Sequence, residues 1–588
     1  MKLIYMPARF GVERLNNKDR NSRKSFLFNI LAFLIVISAL ILIVVSFKEM
    51  TAPLSVLKFK QISLDPMNLF EYGIRTTIRM CIAMVFSLIF SVIYATIAAK
   101  NQRAEEILVP LLDILQSVPI LGYISFTVTG FLLLFPNSVM GAECAAIFAI
   151  FTSQVWNRTF SFYQSLKTVP KELIEASFIF KMSKWQRFWR VEVPFGMPSL
   201  VGNVIVSMSG GWFFVVAAEV INVGSNKIIL PGIGAYISLA LGQENIPSII
   251  YAIIAMILII IIYDQLILRA LVAWSDKFRY ELTSDGNPPK SWVLNLFRRS
   301  FFIDKLFLPI IYLGRFIVYF PLFGHVSNNK NFELKQDYSS ATITGKYLWY
   351  IVIFSLSILL SYSLFSFLHN EIKINEIFEV FQLVLITMFR VFSLVIIASI
   401  FWVPIGIYIG LRPKLAAIMQ PITQFLAAFP VNLFFPIAVI IITKYNLNPN
   451  IWLSPLMIIG AQWYILFNVI AGAASFPTEL KEASKNFNIK GLLWWRKVML
   501  PGVIPYFVTG AITASGGAWN ASIVSEVVTW GDKKIILRGI GSYISQMTVE
   551  ADFHRIILGI GVMSLCVALV NHFFWQPIYN FSAKKYKF

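Results

Sequence analysis

The chain has 588 residues, 57% of them hydrophobic and 14% charged, and a water-soluble fold would have too little polar surface to cover that composition. Lys and Arg number 50 against 30 Asp and Glu, a formal charge of +20. No basic stretch is long, interleaved with aromatics and free of apolar flanks, which argues against nucleic acid as a partner.

A basic tail over residues 1–25 (Arg9, Arg14, Lys18, Arg20, Arg23, Lys24) precedes an apolar run at 26–47. That run is long enough to cross a bilayer and no small-residue cleavage site follows it, so it reads as an uncleaved first span. Further runs of spanning length fall at 76–99, 110–135, 139–160, 199–220 and 248–270. A linker at 275–346 follows, then a second set at 347–368, 386–410, 415–443, 451–472, 506–527 and 554–579. The pattern predicts an all-α polytopic membrane protein with about twelve transmembrane helices in two groups of six, 26–274 and 347–588. Within the linker, "FIDKLFLPIIYLGRFIVYFPLFG" at 302–324 is interrupted by Lys305, Pro309 and Arg315, and reads as an interfacial helix rather than a thirteenth span.

Lys and Arg collect in the N-terminal tail, at 100–107, 161–198, 271–346, 411–414 and 473–505, and at Lys584, Lys585 and Lys587. The opposite loop at 369–385 sets Glu371, Glu376 and Glu379 against Lys373. Because positive loops resist translocation, the basic segments and both termini are expected on the cytoplasmic side. The three cysteines, Cys81, Cys144 and Cys566, lie in apolar runs without CxxC spacing, and the four histidines form neither HxxxH nor HExxH. Neither a disulfide framework nor a metal site is indicated.

The two groups of spans are copies. "VPKELIEASFIFKMSKWQRFWRVEVPFGMP" at 169–198 aligns with "FPTELKEASKNFNIKGLLWWRKVMLPGVIP" at 476–505 at a constant offset of 307. The same offset carries Trp212 onto Trp519, Glu219 onto Glu526, and "KIILPGIGAYIS" at 227–238 onto "KIILRGIGSYIS" at 534–545. Upstream, Arg79 meets Arg390 and Pro119 meets Pro430 at an offset of 311, a four-residue indel. Both copies have the same expected orientation, which makes this a parallel repeat about an axis along the membrane normal. A duplicated scaffold without a pathway would not explain why a polar loop is kept twice.

In that loop, Pro170 and Pro477 suit a first helical turn, and Glu172, Glu175, Glu479 and Glu482 sit near its positive end. The aromatic and basic part then forms an amphipathic return, and Pro194, Pro198, Pro501 and Pro505 punctuate entry into the next span. The loop alone is also readable as a charged interfacial connector; its paired copy favours docking.

Two such loops resemble the EAA loop of the inner-membrane subunits of bacterial ATP-binding-cassette importers, and the resemblance covers nearly all of both halves. It implies that each loop forms a coupling helix seated on a separate ATPase subunit. The residues carried over are Glu172, Glu175, Ala176 and Ser177, with Glu479, Glu482, Ala483 and Ser484. Where that family usually has glycine, this chain has Lys181 and Asn488. Asn reaches the left-handed conformation more readily than Lys, which places the bend of the first copy in question. The run "GGAWNASIVSEVVTW", followed by "RGIGSYIS" and "FFWQPIYNFSAKKY", is similar to the fused permeases of the nitrate, sulfonate, taurine and bicarbonate branch. The implied solute is a small anion, although permeases for uncharged or cationic organic molecules share the branch. Also implied are two cytoplasmic ATPase subunits that hold ATP and Mg, an extracytoplasmic binding protein, and a bacterial inner membrane. Consistent with a separate motor, the chain has no GxxxxGK[ST] stretch to cradle a nucleotide.

For a pathway, Arg79 and Arg390 at the outer ends of the second spans could draw an anion inward, although a lone arginine there commonly snorkels to headgroups. Glu219 and Glu526, ending the fifth spans, would repel an anion unless paired, so each is expected to pair with a base such as Arg79 or Arg390. Trp212 and Trp519 lie beside glycine pairs, where an indole serves as packing or as a gate. "PGIG" and "RGIG" are expected to make tight outer turns near a docking surface. Pro119 and Pro430 are expected to break the third spans in mid-membrane. The competing reading is an ion-gradient-driven transporter, for which the spans offer few buried ionisable residues apart from Asp264. An enzyme lacks a metal or nucleophile constellation, and a channel lacks a repeated filter.

Overall fold

The computed structural model describes residues 62–136, 138–223, 226–279, 291–318, 371–530 and 533–585, with residue 53 and scattered residues within 29–38 and 351–367. The expected spans at 26–47 and 347–368 therefore fall mostly outside the described residues, as do the tail at 1–25, most of the linker, and Lys587.

The first half comprises α1 (Asn68–Lys100), α2 (Gln102–Ser117), α3 (Ile120–Leu134), α4 (Val139–Lys167), α5 (Lys171–Ile179), α6 (Val193–Ala218), the hairpin β1 (Val220–Val223) and β2 (Asn226–Ile229), α7 (Ile233–Gly242) and α8 (Ile246–Tyr263). The second half repeats this order. It runs α9 (Ile374–Gly410), α10 (Pro413–Ala428), α11 (Phe435–Lys444), α12 (Gln462–Ala474), α13 (Thr478–Asn486), α14 (Leu500–Ser525), β3 (Val527–Trp530), β4 (Lys533–Ile536), α15 (Ile540–Glu550) and α16 (Phe553–Val570). Local signals match across the copies: Asn245 caps α8 and Asp552 caps α16 through their side chains, each satisfying a free helix-start donor. Both hairpins are antiparallel, pairing Val220 with Ile229 and Val527 with Ile536.

Seven helices of the described residues are long and apolar enough to cross a membrane, and an eighth counts if the pair Pro449–Ile459 and Gln462–Ala474, bent by 43°, is one span. On α1 the reason is visible in the spacing. Phe86, Ile89, Ile93 and Ile97 form an exposed apolar stripe, while Met80, Ala83, Ser87, Ser91 and Ala95 are buried on the other face. An apolar stripe left bare along a spanning helix is the surface that acyl chains cover.

Two expected spans are broken rather than continuous. The run at 110–135 consists of α2, which already starts at Gln102, and α3, separated at Val118 and Pro119, whose backbones are extended. The run at 415–443 splits into α10 and α11 around Phe429 and Pro430. Proline lacks a donor and pushes its predecessor out of the helical region.

The entry prolines behave differently from expectation. Lys184–Met208 and Gly491–Ser525 are continuous helical spans, passing through π-turns at Phe188–Glu192 and Trp495–Met499. The ladder widens to i→i+5 just before Pro194 and Pro501, so the chain does not break there. Further π-turns at Asp264–Leu268 and Asn571–Trp575 again differ by the repeat offset. In the linker, Phe301–Val318 is helical with Leu306, Leu308, Tyr312, Leu313 and Phe316 exposed; its three charged residues keep it out of the spanning set.

The halves embrace. α16 packs on α2 and α3 of the first half, while α8 and α6 pack on α10 of the second. One apolar core runs through both, joining Ile120, Val139, Ala146 and Phe214 to Val384, Ala518, Trp519 and Ile540.

Candidate functional site

The polar loops form α5 and α13, each starting after a proline, Pro170 or Pro477, that serves as N-cap. Glu172, Glu175, Glu479 and Glu482 are exposed and make no side-chain ion pair or hydrogen bond among the described residues. Ser177 and Ser484 are buried and bond back to the carbonyls of Ile174 and Lys481 at 2.5 and 2.8 Å. Ala176 and Ala483 are half-buried between them. Each helix thus turns its hydroxyl inward and its carboxylates outward.

Both helices end in the same left-handed turn. Lys181 has φ 49° and Asn488 φ 54°, so the bend questioned for the first copy is present. It is held by a Schellman pair: the Met182 and Lys181 amides donate to the Ser177 and Phe178 carbonyls at 3.0 and 2.9 Å. The Ile489 and Asn488 amides do the same to Ser484 and Lys485, at 2.9 and 3.0 Å. Capping orphan carbonyls offsets the strain of a side chain at positive φ.

The second cluster lies at the other ends of α1 and α6, buried within the helix bundle. Arg79 Nη1 donates to Glu219 Oε1 at 2.8 Å, while its Nε and Nη2 donate to the two oxygens of Glu143, each at 2.6 Å. All three residues are buried. Thr76 Oγ1 donates to Glu219 at 2.6 Å and accepts from the Ile233 amide at 3.2 Å; the Gly234 amide donates to Glu219 Oε2 at 2.6 Å. The carboxylate therefore caps the start of α7 as well as neutralising Arg79, a placement the helix dipole favours.

The second half rebuilds the arrangement with weaker parts. Arg390 Nη1 reaches Glu526 at 3.2 Å and the Arg538 carbonyl at 2.9 Å, and Nη2 reaches Asn450 at 3.2 Å. Thr387 and the Ser542 amide donate to Glu526 at 2.8 and 3.0 Å. A cleft of about 330 Å³ beside this clasp is lined by Glu379, Arg538, Ser542, Tyr543 and Gln546 among others.

The pairing thus found makes Arg79 and Arg390 parts of clasps rather than snorkelling side chains. In "PGIG" and "RGIG" the glycines Gly232, Gly234, Gly539 and Gly541 are buried, whereas Arg538 is exposed and lines the cleft. A Cβ on Gly232 or Gly539 would collide with the carboxyl of Glu219 or Glu526, so glycine is needed there for close approach. Trp212 and Trp519 are buried at 1% and 2% exposure; Trp212 packs edge-on to Tyr263 at 5.3 Å. Both pack the core in this structure. Pro119 and Pro430 sit at the junction of the halves. The Ile120 amide freed by the first break donates to Asn520 of the second half at 2.9 Å, and Phe429 and Leu433 beside the second break join a cluster with Met208 and Trp212. Asp264 is tied to Arg269 at 2.9 Å.

Sequence reasoning passed over Glu143, Asn450, Asn520 and Arg158. Glu143 and Arg158 lie within the apolar run 139–160, where an ionisable residue is itself a signal; the spans hold more buried charge than expected.

The model of the binding-protein-dependent transport system inner membrane component family matches this chain twice, at 87–276 and 402–575, together more than half of its length. Among relatives, the bicarbonate transport system permease protein CmpB of Synechococcus elongatus is 30% identical over 172 residues, 29% of this chain and 59% of that protein. The nitrate import permease protein NrtB of Leptolyngbya laminosa is 27% identical over 176 residues, 30% and 60% of the two chains. The glycine betaine/carnitine transport permease protein GbuB of Listeria monocytogenes is 27% identical over 169 residues, 29% and 54%. The chain spans about 60% of the length of the first of these relatives. Two matches, two equivalent bundles and two equivalent loops place the chain in the family of binding-protein-dependent transport system inner membrane components, as a fused duplicate.

Proposed function

We propose that this chain is the permease of an ATP-driven importer for a small anion, with both six-helix halves in one polypeptide. It is a transport subunit and not an enzyme. Two cytoplasmic ATPase subunits hold ATP and Mg and dock on α5 and α13, and an extracytoplasmic binding protein delivers the solute at the opposite face. Both termini and both docking helices face the cytoplasm of an inner membrane, and 302–324 lies on that face of the membrane. The halves rock about their shared core as the ATPases close.

The observation that carries this reading is the pair of Glu-Ala helices, their four carboxylates exposed and their ends held in the same turn by both halves. Relatives named for bicarbonate and nitrate support the anion. The test is to purify the chain with its associated subunits and measure ATP hydrolysis and uptake across nitrate, bicarbonate and small sulfonates. In the double variant Glu175→Arg with Glu482→Arg, uptake should fall more than tenfold at unchanged thermal stability, since exposed side chains contribute little to the fold. Undiminished uptake would sink the docking role. Uptake that collapses with an ion gradient and ignores ATP would establish the ion-driven alternative.

A further inference from the structure

Arg158 on α4 is fully buried where α1, α4 and α6 meet. Its Nε donates to Ser207 Oγ at 2.7 Å, Nη1 donates to Ser87 Oγ, and Nη2 approaches the Val204 carbonyl at 3.5 Å. Every acceptor is neutral, and among the described residues no carboxylate pairs with it. One turn away, Gln154 is also fully buried, its Nε2 facing the sulfurs of Met80 and Met208 and its Oε1 without a hydrogen-bond partner among the described residues. A cation buried among spanning helices without a counter-charge is costly, and its retention calls for a reason.

The duplicated half is an internal control. At the repeat offsets, Arg158 becomes Ile465, Gln154 becomes Ala461, Ser207 becomes Ala514, Ser87 becomes Ala398 and Tyr263 becomes Val570. Ile465, Ala461, Ala514 and Ala398 are buried in one apolar core where α9, α12 and α14 pack together. The three-helix packing is therefore attainable without the cation, and Arg158 is kept for something other than the fold.

Its position indicates what. Val204, whose carbonyl the guanidinium approaches, and Met208, adjacent to Ser207, belong to one cluster with Trp212 and with Phe429 and Leu433 of the second half, so the guanidinium borders side chains that continue to the junction of the halves. We propose that Arg158 is a specificity determinant: its uncompensated charge makes the passage between the halves electropositive and so selects small anions over zwitterions and neutral solutes. This rests on the anion-importer reading above. A unit charge about 8 Å from an anion, at an effective dielectric of ~20, changes its occupancy about 30-fold.

The test compares the full transporter carrying Arg158→Lys, Arg158→Gln, or the triple change Arg158→Ile, Ser87→Ala and Ser207→Ala that installs the second half's side chains. Uptake of labelled nitrate, bicarbonate and a small sulfonate is measured beside that of glycine betaine, with thermal stability in detergent. The triple variant should keep its melting temperature, lose about 30-fold in kcat/KM for the anion chiefly through KM, and shift its preference toward betaine. Arg158→Lys should keep most of the anion preference. Anion uptake by the triple variant at the wild-type rate overturns this inference alone. A parallel fall of all solutes together with the melting temperature overturns it too, by making Arg158 structural. A wild-type transporter that moves no anion overturns the underlying reading and this inference with it. Should the triple variant not fold, equal anion uptake by Arg158→Lys and Arg158→Gln overturns the proposal.

Discussion

In the first half, Arg79 is closed between two carboxylates and shows 1% side-chain exposure; in the second, Arg390 faces one carboxylate, an amide and a carbonyl, and shows 13%. The same contrast recurs at the other end of the bundle. Lys100 pairs with Glu192 at 2.7 Å and Lys167 with Glu105 at 2.6 Å, whereas the repeat offsets place Leu411, Met499, Ala474 and Ala416 at these positions. Leu411 and Met499 share one apolar cluster and Ala416 sits in another, while Ala474 is exposed, so the ion pairs of the first copy have no charged equivalent in the second. Duplication keeps the geometry that both halves need, and the copies then differ in how much charge each buries. The first half is the electrostatically committed one.

The largest test of that contrast is removal of the arginines. Arg79→Ala leaves Glu143 and Glu219 buried without a counter-charge, a change expected to cost about 3–5 kcal/mol. Arg390→Ala strands only Glu526, which keeps Thr387 and the Ser542 amide, and Arg390 is partly hydrated, so about 1–2 kcal/mol is expected. Thermal unfolding in detergent or nanodiscs reads the difference directly. Equal losses would break the contrast. Glu143→Asn, which copies Asn450, should move the first clasp toward the second.

The docking helices differ next. The first carries Phe178, Ile179 and Phe180 exposed, with Arg187 stacked over Phe178 at 5.1 Å; the offset places Lys485, Asn486 and Phe487 in the second. Burying an apolar side chain at an interface contributes about 1.5–3 kcal/mol. Phe178→Lys with Ile179→Asn should therefore weaken ATPase retention about tenfold or more, and Lys485→Phe with Asn486→Ile should strengthen it. Co-purification at graded salt measures both. No change in either direction would make the two helices equivalent.

What was legible in the sequence follows from the same duplication. Glu219 and Glu526 could be assigned to Arg79 and Arg390 because all four recur at fixed offsets near the outer ends of their spans, where a bare carboxylate would repel an anion. Glu143 and Arg158 were hidden because their counterparts are Asn450 and Ile465; matching repeats filters out the residues that distinguish them. The breaks at Pro119 and Pro430 were legible from proline chemistry. The start of α2 at Gln102 was not, because Arg103, Glu105 and Glu106 read as loop until Asn101 is seen capping the helix. Lys181 misled for a different reason: propensity argues against a left-handed lysine, and the Schellman hydrogen bonds override propensity.

That override predicts a smaller effect. At matched φ, lysine bears more strain than asparagine, so Lys181→Gly should stabilise α5 by about 1 kcal/mol and Asn488→Gly should change α13 by a few tenths. Hydrogen exchange at the Met182 and Ile489 amides, which close the two turns, separates the cases. A larger gain at Asn488 would reverse the expected order.

The smallest effect is a response to acid. Burial raises the Glu105 carboxyl, but hydrogen bonds from Lys167 and the Tyr163 hydroxyl outweigh it and hold the group below the ordinary carboxylate range. A carboxyl whose pKa is lower folded than unfolded adds stability above its unfolded value and loses it as pH falls through the folded value. The contact it makes joins α2 to α4. In the second half the three positions are Ala416, Ile470 and Ala474, with nothing to titrate. Lowering the pH from neutrality through about 4.5 and below should raise hydrogen exchange at 102–117 while leaving 413–428 unmoved. The pair is partly exposed, so the loss stays under about 1 kcal/mol. Glu105→Gln should abolish the pH step, and equal acid sensitivity in both segments would show that the latch does not set it.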